Sequence, residues 1–90
     1  MPKVTTDVTV LNAEGLHARP AMQFVDLASR FESTVLVQKE GETVDGKSVM
    51  GMITLGATQG TLLKIEAEGD DAEAVCEALK KLFEDKFGEE

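Results

Sequence analysis

The sequence predicts an α+β fold in which helices cover one face of a four-stranded sheet. Three observations predict it. Four short stretches rich in apolar and β-branched residues read as strands, most plainly where apolar and polar positions alternate with period two. Three other stretches carry apolar residues at helical spacing or a helix N-cap ahead of a short apolar run. The resulting order, β-α-β-β-α-β-α, gives the sheet an apolar face that the helices must bury from one side.

Val4, Thr6, Val8 and Val10 alternate with Thr5, Asp7 and Thr9, the pattern of a half-buried strand. Asn12-Ala13-Glu14-Gly15 reads as a loop. Residues 18–30 then read as a helix, with Ala21, Phe24, Val25, Ala28 and Phe31 along one face. Residues 34–38 form a second strand and 43–44 a short third, joined as a hairpin through Glu40-Gly41. Ser48 is a good N-cap for a two-turn helix over 48–55, weakened by Gly51, that stops at Gly56. Residues 61–68 make the fourth strand, with Leu63, Ile65 and Ala67 inward and Lys64, Glu66 and Glu68 outward. Asp70-Asp71-Ala72-Glu73 resembles a capping box. The last helix runs from there to about Phe87 on a stripe of Val75, Leu79, Leu82 and Phe83, with Glu77 and Lys81 as an i,i+4 ion pair. Gly88-Glu89-Glu90 is expected to fray. No repeat or internal linker interrupts the pattern, so residues 1–90 are expected to be a single domain.

Composition narrows the function. At 42% hydrophobic the chain is ordinary for a globular protein. Its net charge of -8, from 17 acids and 9 bases, disfavours nucleic acid and anionic membranes, which both need basic surfaces. It favours partners with basic faces. Cys76 is the one cysteine, so no internal disulfide forms, and it is expected to be inert packing. One His and one distant Cys make no metal site. Asp70, Asp71 and Glu73 lack the alternating ligands of a calcium loop. No signal-peptide pattern opens the chain and no apolar run approaches a membrane span, so a cytoplasmic protein is expected.

The stretch Glu14-Gly15-Leu16-His17-Ala18-Arg19-Pro20-Ala21-Met22 holds the one histidine. Gly15 lets the backbone turn, and Pro20 is tolerated because first-turn amides have no intrahelical partner. His17 therefore sits at a helix mouth, beside free N–H groups that welcome an anion. A histidine at such a junction is ordinarily a plain polar cap. Here the positive helix end disfavours a second positive charge and leaves the ring nucleophilic. A phosphoryl group on His17 would bring about two negative charges and three acceptor oxygens. The amides of Ala18 and Arg19 and the Arg19 guanidinium match them. Reversible phosphorylation of His17 is the chemistry expected.

Gly-Leu-His-Ala-Arg-Pro-Ala over residues 15–21 resembles the phosphorylation motif of HPr, the histidine-containing phosphocarrier family of the bacterial phosphotransferase system. Residues 47–56, Lys-Ser-Val-Met-Gly-Met-Ile-Thr-Leu-Gly, resemble that family's second signature. The resemblance implies an open-faced β-sandwich, an antiparallel sheet of order 1-4-2-3 with three helices on one face. It also implies a phosphocarrier without turnover of its own and without a cofactor. Enzyme I would phosphorylate Nδ1 of His17, and an enzyme IIA histidine or cysteine would receive the group, with Arg19 as a clamp.

By the same resemblance Ser48 is a target of HPr kinase/phosphorylase, beside its plain role as an N-cap. A phosphate there would sit on the positive helix end and weaken enzyme I binding. The short helix carries more apolar side chains than one face can bury, which suggests an exposed patch. The resemblance assigns Ala18, Met22, Gln23, Val49, Met50 and Ile53 to docking of enzyme I and enzyme IIA. Glu14 stands where relatives often carry a small polar residue, and its carboxylate is expected either to repel an incoming phosphoryl group or to favour imidazolium at His17 against the helix-end effect. A monomer is expected. Two rival functions remain: a phosphocarrier of the nitrogen-related branch, and a regulatory module that contacts a transcriptional regulator through phosphorylated Ser48.

Overall fold

The computed structural model describes residues 1–89. Its elements are β1 (Lys3–Thr9), α1 (Ala18–Ala28), β2 (Thr34–Lys39), β3 (Glu42–Asp45), α2 (Val49–Thr54), β4 (Leu62–Glu68) and α3 (Ala72–Glu84), followed by a 3-10 turn over Lys86–Gly88. The strands form one antiparallel sheet of order β1-β4-β2-β3. This is the open-faced sandwich expected.

Register explains which side chains meet. Val8 faces Leu63 across β1 and β4, and Val37 faces Ile65 across β2 and β4. Val35 and Ala67 are the next pair along the same face. All six are buried, because period-two alternation sends them to the helical side together. Ala21, Phe24 and Ala28 of α1 and Val75, Leu79 and Phe83 of α3 close over them. Phe24 and Phe83 meet edge to face, with ring centroids 6.0 Å apart. The β2–β3 hairpin turns through Glu40 and Gly41 alone, with φ of 46° and 87°, the left-handed pair that matches strand twist.

Helix ends are stitched by side chains from elsewhere in the chain. The Lys39 ammonium donates to the Leu55 carbonyl at the end of α2, and the Lys47 ammonium to the Phe31 carbonyl beyond α1, both at 2.8 Å. The first places a cation at the negative end of α2, and the second ties down the loop that leaves α1.

Five expectations need correction. The first long helix stops at Ala28, and Arg30 and Phe31 close it with turn hydrogen bonds to Leu27 and Ala28. The last helix stops at Glu84, because Lys86 and Phe87 adopt φ of 55° and 56°. Asp71 does precede α3, but its side chain makes no capping bond there. It accepts instead from the N–H groups of Glu32 and Ser33 and from the Ser33 hydroxyl. Among the described residues the i,i+4 ion pair is Asp26–Arg30 at 3.0 Å, not Glu77–Lys81.

Gly88 and Glu89 do not fray: Phe87 is buried beside Phe83 and the chain folds back toward α1. Glu90 lies outside the described residues.

Candidate functional site

The site begins with a turn. Asn12 donates its side-chain amide to the Gly15 carbonyl at 2.8 Å, while the Gly15 N–H donates back to the Asn12 carbonyl at 3.2 Å. Gly15 sits at φ 73°, and the next N–H, of Leu16, donates to Ala57 at 2.9 Å. A Cβ on Gly15 would stand 2.5 Å from that same Ala57 oxygen, so the close approach requires glycine. Leu16 is buried, and His17 follows as the N-cap of α1 with extended backbone.

His17 does not cap with its ring. Its carbonyl accepts the Ala21 N–H at 3.0 Å and closes the first turn. Ala18, Arg19 and Pro20 are the first three helical residues. The N–H groups of Ala18 and Arg19 therefore have no acceptor within the helix, and Pro20 has none to satisfy. The ring is 37% exposed. Its Nε2 lies 3.0 Å from Oε2 of Glu89 and 3.7 Å from Oε1 of Glu14. Glu14 is 78% exposed, so water screens its charge at the ring. Ala13, Glu14, His17, Ala18, Arg19 and Glu89 line one open hollow, with Arg19 exposed at its edge.

A second hollow adjoins it, lined by Arg19, Met22, Gln23 and Val49 among others. Met22 and Met50 are 57% and 68% exposed, and Ala18 is exposed too. Gln23, Val49 and Ile53 are half-buried, whereas Met52 is wholly buried. Arg19 borders both hollows and so joins the one at His17 to the one lined by Met22, Gln23 and Val49. Ser48 caps α2: its hydroxyl oxygen accepts the Gly51 N–H at 3.0 Å.

Cys76 is buried on α3, its thiol directed at the Val4 carbonyl, and burial pushes its pKa up, which disfavours the thiolate. Among the described residues no group of three or more His, Cys, Asp or Glu side chains could hold a metal ion. Among them, too, no helix is long and apolar enough to cross a membrane.

Two residues of the site do not stand out in the sequence. Asn12 reads as part of a loop, although Asn followed closely by Gly is a turn-forming signal. Glu89 carried no signal at all, since a glycine followed by two acids at the end of a helix reads as a solvated tail.

A half-exposed imidazole at a helix mouth, set on an open-faced α+β sandwich, suits the class of proteins that carry a small anionic group on histidine. The comparisons agree. The family model PTS-HPr, described as "PTS HPr component phosphorylation site", matches residues 4–85. The chain is 41% identical over 87 residues to the phosphocarrier protein HPr of Treponema pallidum, covering 97% of this chain and 99% of that protein. The crystal structure of HPr-C-His from Thermoanaerobacter tengcongensis superposes with a TM-score of 0.90 at 49% identity, covering 100% of this chain and 99% of that one. An HPr dimer from the same organism superposes with a TM-score of 0.78 at 48% identity, covering 99% and 100%. The chain belongs to the HPr family, the phosphocarriers of the phosphotransferase system.

Proposed function

We propose that Nδ1 of His17 accepts a phosphoryl group from phosphorylated enzyme I and passes it to a histidine or cysteine of an enzyme IIA in sugar uptake. The observation that carries this reading is the position of His17: a half-exposed ring at the opening of α1, with the amides of Ala18 and Arg19 unclaimed by the helix. Arg19 borders the same hollow and supplies a forked cation for the transferring group. The protein then acts as a monomeric single-domain intermediate in the cytoplasm, without turnover of its own. A carrier must release what it binds, so a shallow open hollow suits it better than a closed pocket. The rate enhancement belongs to positioning within each transient complex.

Support for docking comes from Met22 on α1 and Met50 on α2, whose adaptable side chains stand exposed and suit several partners. Ser48 borders this patch as the cap of α2. Its phosphorylation by HPr kinase/phosphorylase would set two negative charges against the docking surface and lower enzyme I binding.

The test incubates the chain with enzyme I and phosphoenolpyruvate. The expected product carries one phosphate on His17, labile in acid and stable in base. His17→Ala should fold normally and remain unlabelled; normal labelling of that variant overturns the reading. The enzyme I accepted as donor separates the sugar branch from the nitrogen-related branch.

A further inference from the structure

Glu89 meets the imidazole at the nitrogen away from the proposed reaction. Its Oε2 lies 3.0 Å and its Oε1 3.4 Å from Nε2 of His17. A carboxylate has no proton to give, so this contact is a hydrogen bond only when Nε2 carries the hydrogen. In the neutral ring the lone pair then belongs to Nδ1.

The contact is built from several sides. Oε1 of Glu89 also accepts from the Asn12 side-chain amide at 3.1 Å. That amide is anchored by the Gly15 carbonyl, and Asn12 is wholly buried. Phe87, 3% exposed, packs edge-on against Phe83 with centroids 4.8 Å apart. The left-handed backbone of Lys86, Phe87 and Gly88 turns the chain from α3 toward the mouth of α1. The Glu89 side chain is 19% exposed, against 78% for Glu14, the other carboxylate near the ring. Gly15, Asn12, Glu89 and His17 thus form one chain of hydrogen bonds from backbone to imidazole.

We infer that Glu89 is a positioning residue for phosphoryl transfer, a role that rests on His17 being the acceptor. It holds the proton on Nε2, turns Nδ1 outward as the nucleophile, and stays paired with the ring after transfer. In the forward step the Nδ1 lone pair forms the new N–P bond. The bond between phosphorus and the donor's own atom breaks, and its electron pair stays with that atom. The Nε2 proton stays in place, so the ring gains one positive charge opposite the Glu89 carboxylate, where it is stabilised. Onward transfer benefits as well. A ring that keeps its Nε2 proton departs as neutral imidazole, whereas one that has lost it must depart as imidazolate, a far poorer leaving group.

The experiment follows the His17 ring by proton–nitrogen NMR in the full chain, and in parallel the rate of labelling by phosphorylated enzyme I. The variants are Glu89→Ala and Glu89→Gln. In the wild type the Nε2–H proton should resonate downfield and exchange slowly with water, in both the free and the phosphorylated protein. Glu89→Ala should lose that signature and be labelled about tenfold more slowly, the loss expected for one charge-assisted hydrogen bond. Glu89→Gln keeps an acceptor oxygen without the charge, so it should retain the proton signal and label at an intermediate rate. A Glu89→Ala protein with an unchanged proton signal and a rate within about twofold of wild type overturns the role, as twofold is well under the tenfold predicted. If the wild type itself takes no phosphate on His17, the proposed function fails instead. The two failures are therefore distinct. Glu89→Gln preserves shape, so the comparison stands even if the alanine variant alters the fold.

Discussion

One carboxylate oxygen of Asp71, at the start of α3, accepts both the N–H of Ser33, at 2.9 Å, and the Ser33 hydroxyl. The other oxygen takes the Glu32 N–H at 2.8 Å. The loop that leaves α1 is thereby clasped to the helix that completes the core. The Ser33 hydroxyl first, then the Glu32 amide, hold the Asp71 carboxyl below the ordinary value of 3.8.

This clasp sets an acid limit on stability. Folding depresses the Asp71 pKa, so the unfolded chain binds that proton more readily. The stabilisation is fully present above the unfolded value and is lost as pH falls through the folded one. In urea unfolding, Asp71→Asn should be less stable than wild type near neutral pH, and the difference should shrink below about pH 4. A difference that stays constant with pH would remove the charge from this account.

Gly15→Ala tests the turn that presents His17. With φ at 73° and Ala57 so close, alanine should cost at least about 1–2 kcal/mol in urea unfolding. It should also slow labelling by enzyme I, because His17 is two residues on. An alanine variant as stable as wild type would show that the turn can relax.

Met52 and Met50 separate core from surface within one short helix. Met52 is wholly buried, and Met52→Ala should cost about 2–5 kcal/mol. Met50 is exposed, and Met50→Ala should change stability by no more than about 0.5 kcal/mol. The Met50 variant should instead raise the KM for the phosphocarrier in the enzyme I reaction. An unchanged KM would argue against docking at this position.

Arg19→Lys keeps the charge but loses the fork. Urea unfolding should be unchanged, since Arg19 is exposed. Phosphoryl transfer should slow about tenfold, corresponding to about 1.4 kcal/mol. Unaltered transfer kinetics would mean that Arg19 is only a solvated side chain.

Ser48 has two roles that mutation can divide. Ser48→Ala loses the bond to the Gly51 amide and should cost about 1 kcal/mol while leaving His17 labelling intact. Ser48→Asp still offers a capping oxygen and should remain folded, yet its charge should reduce labelling by enzyme I. Undiminished labelling of Ser48→Asp would count against the regulatory switch.

By itself the sequence determined the order of strands and helices and singled out His17 as the proposed acceptor. Val8, Leu63 and Ile65 declare their faces through period two, and Phe24 and Ala28 through the helical period, because each signal lies within a few residues. His17 was legible for the same reason: Gly15, Ala18, Arg19 and Pro20 are its immediate neighbours. Only the tertiary structure decided where Asp71 and Glu89 point. Asp71 reads locally as a cap but bonds to residues 38 and 39 positions away, and Glu89 reads as frayed but reaches His17 across 72. Local periodicity reports which way a side chain leaves its own element. The acceptor or donor that it meets there is chosen by how the elements pack, and a polar side chain takes whichever partner the packed chain brings within hydrogen-bond reach.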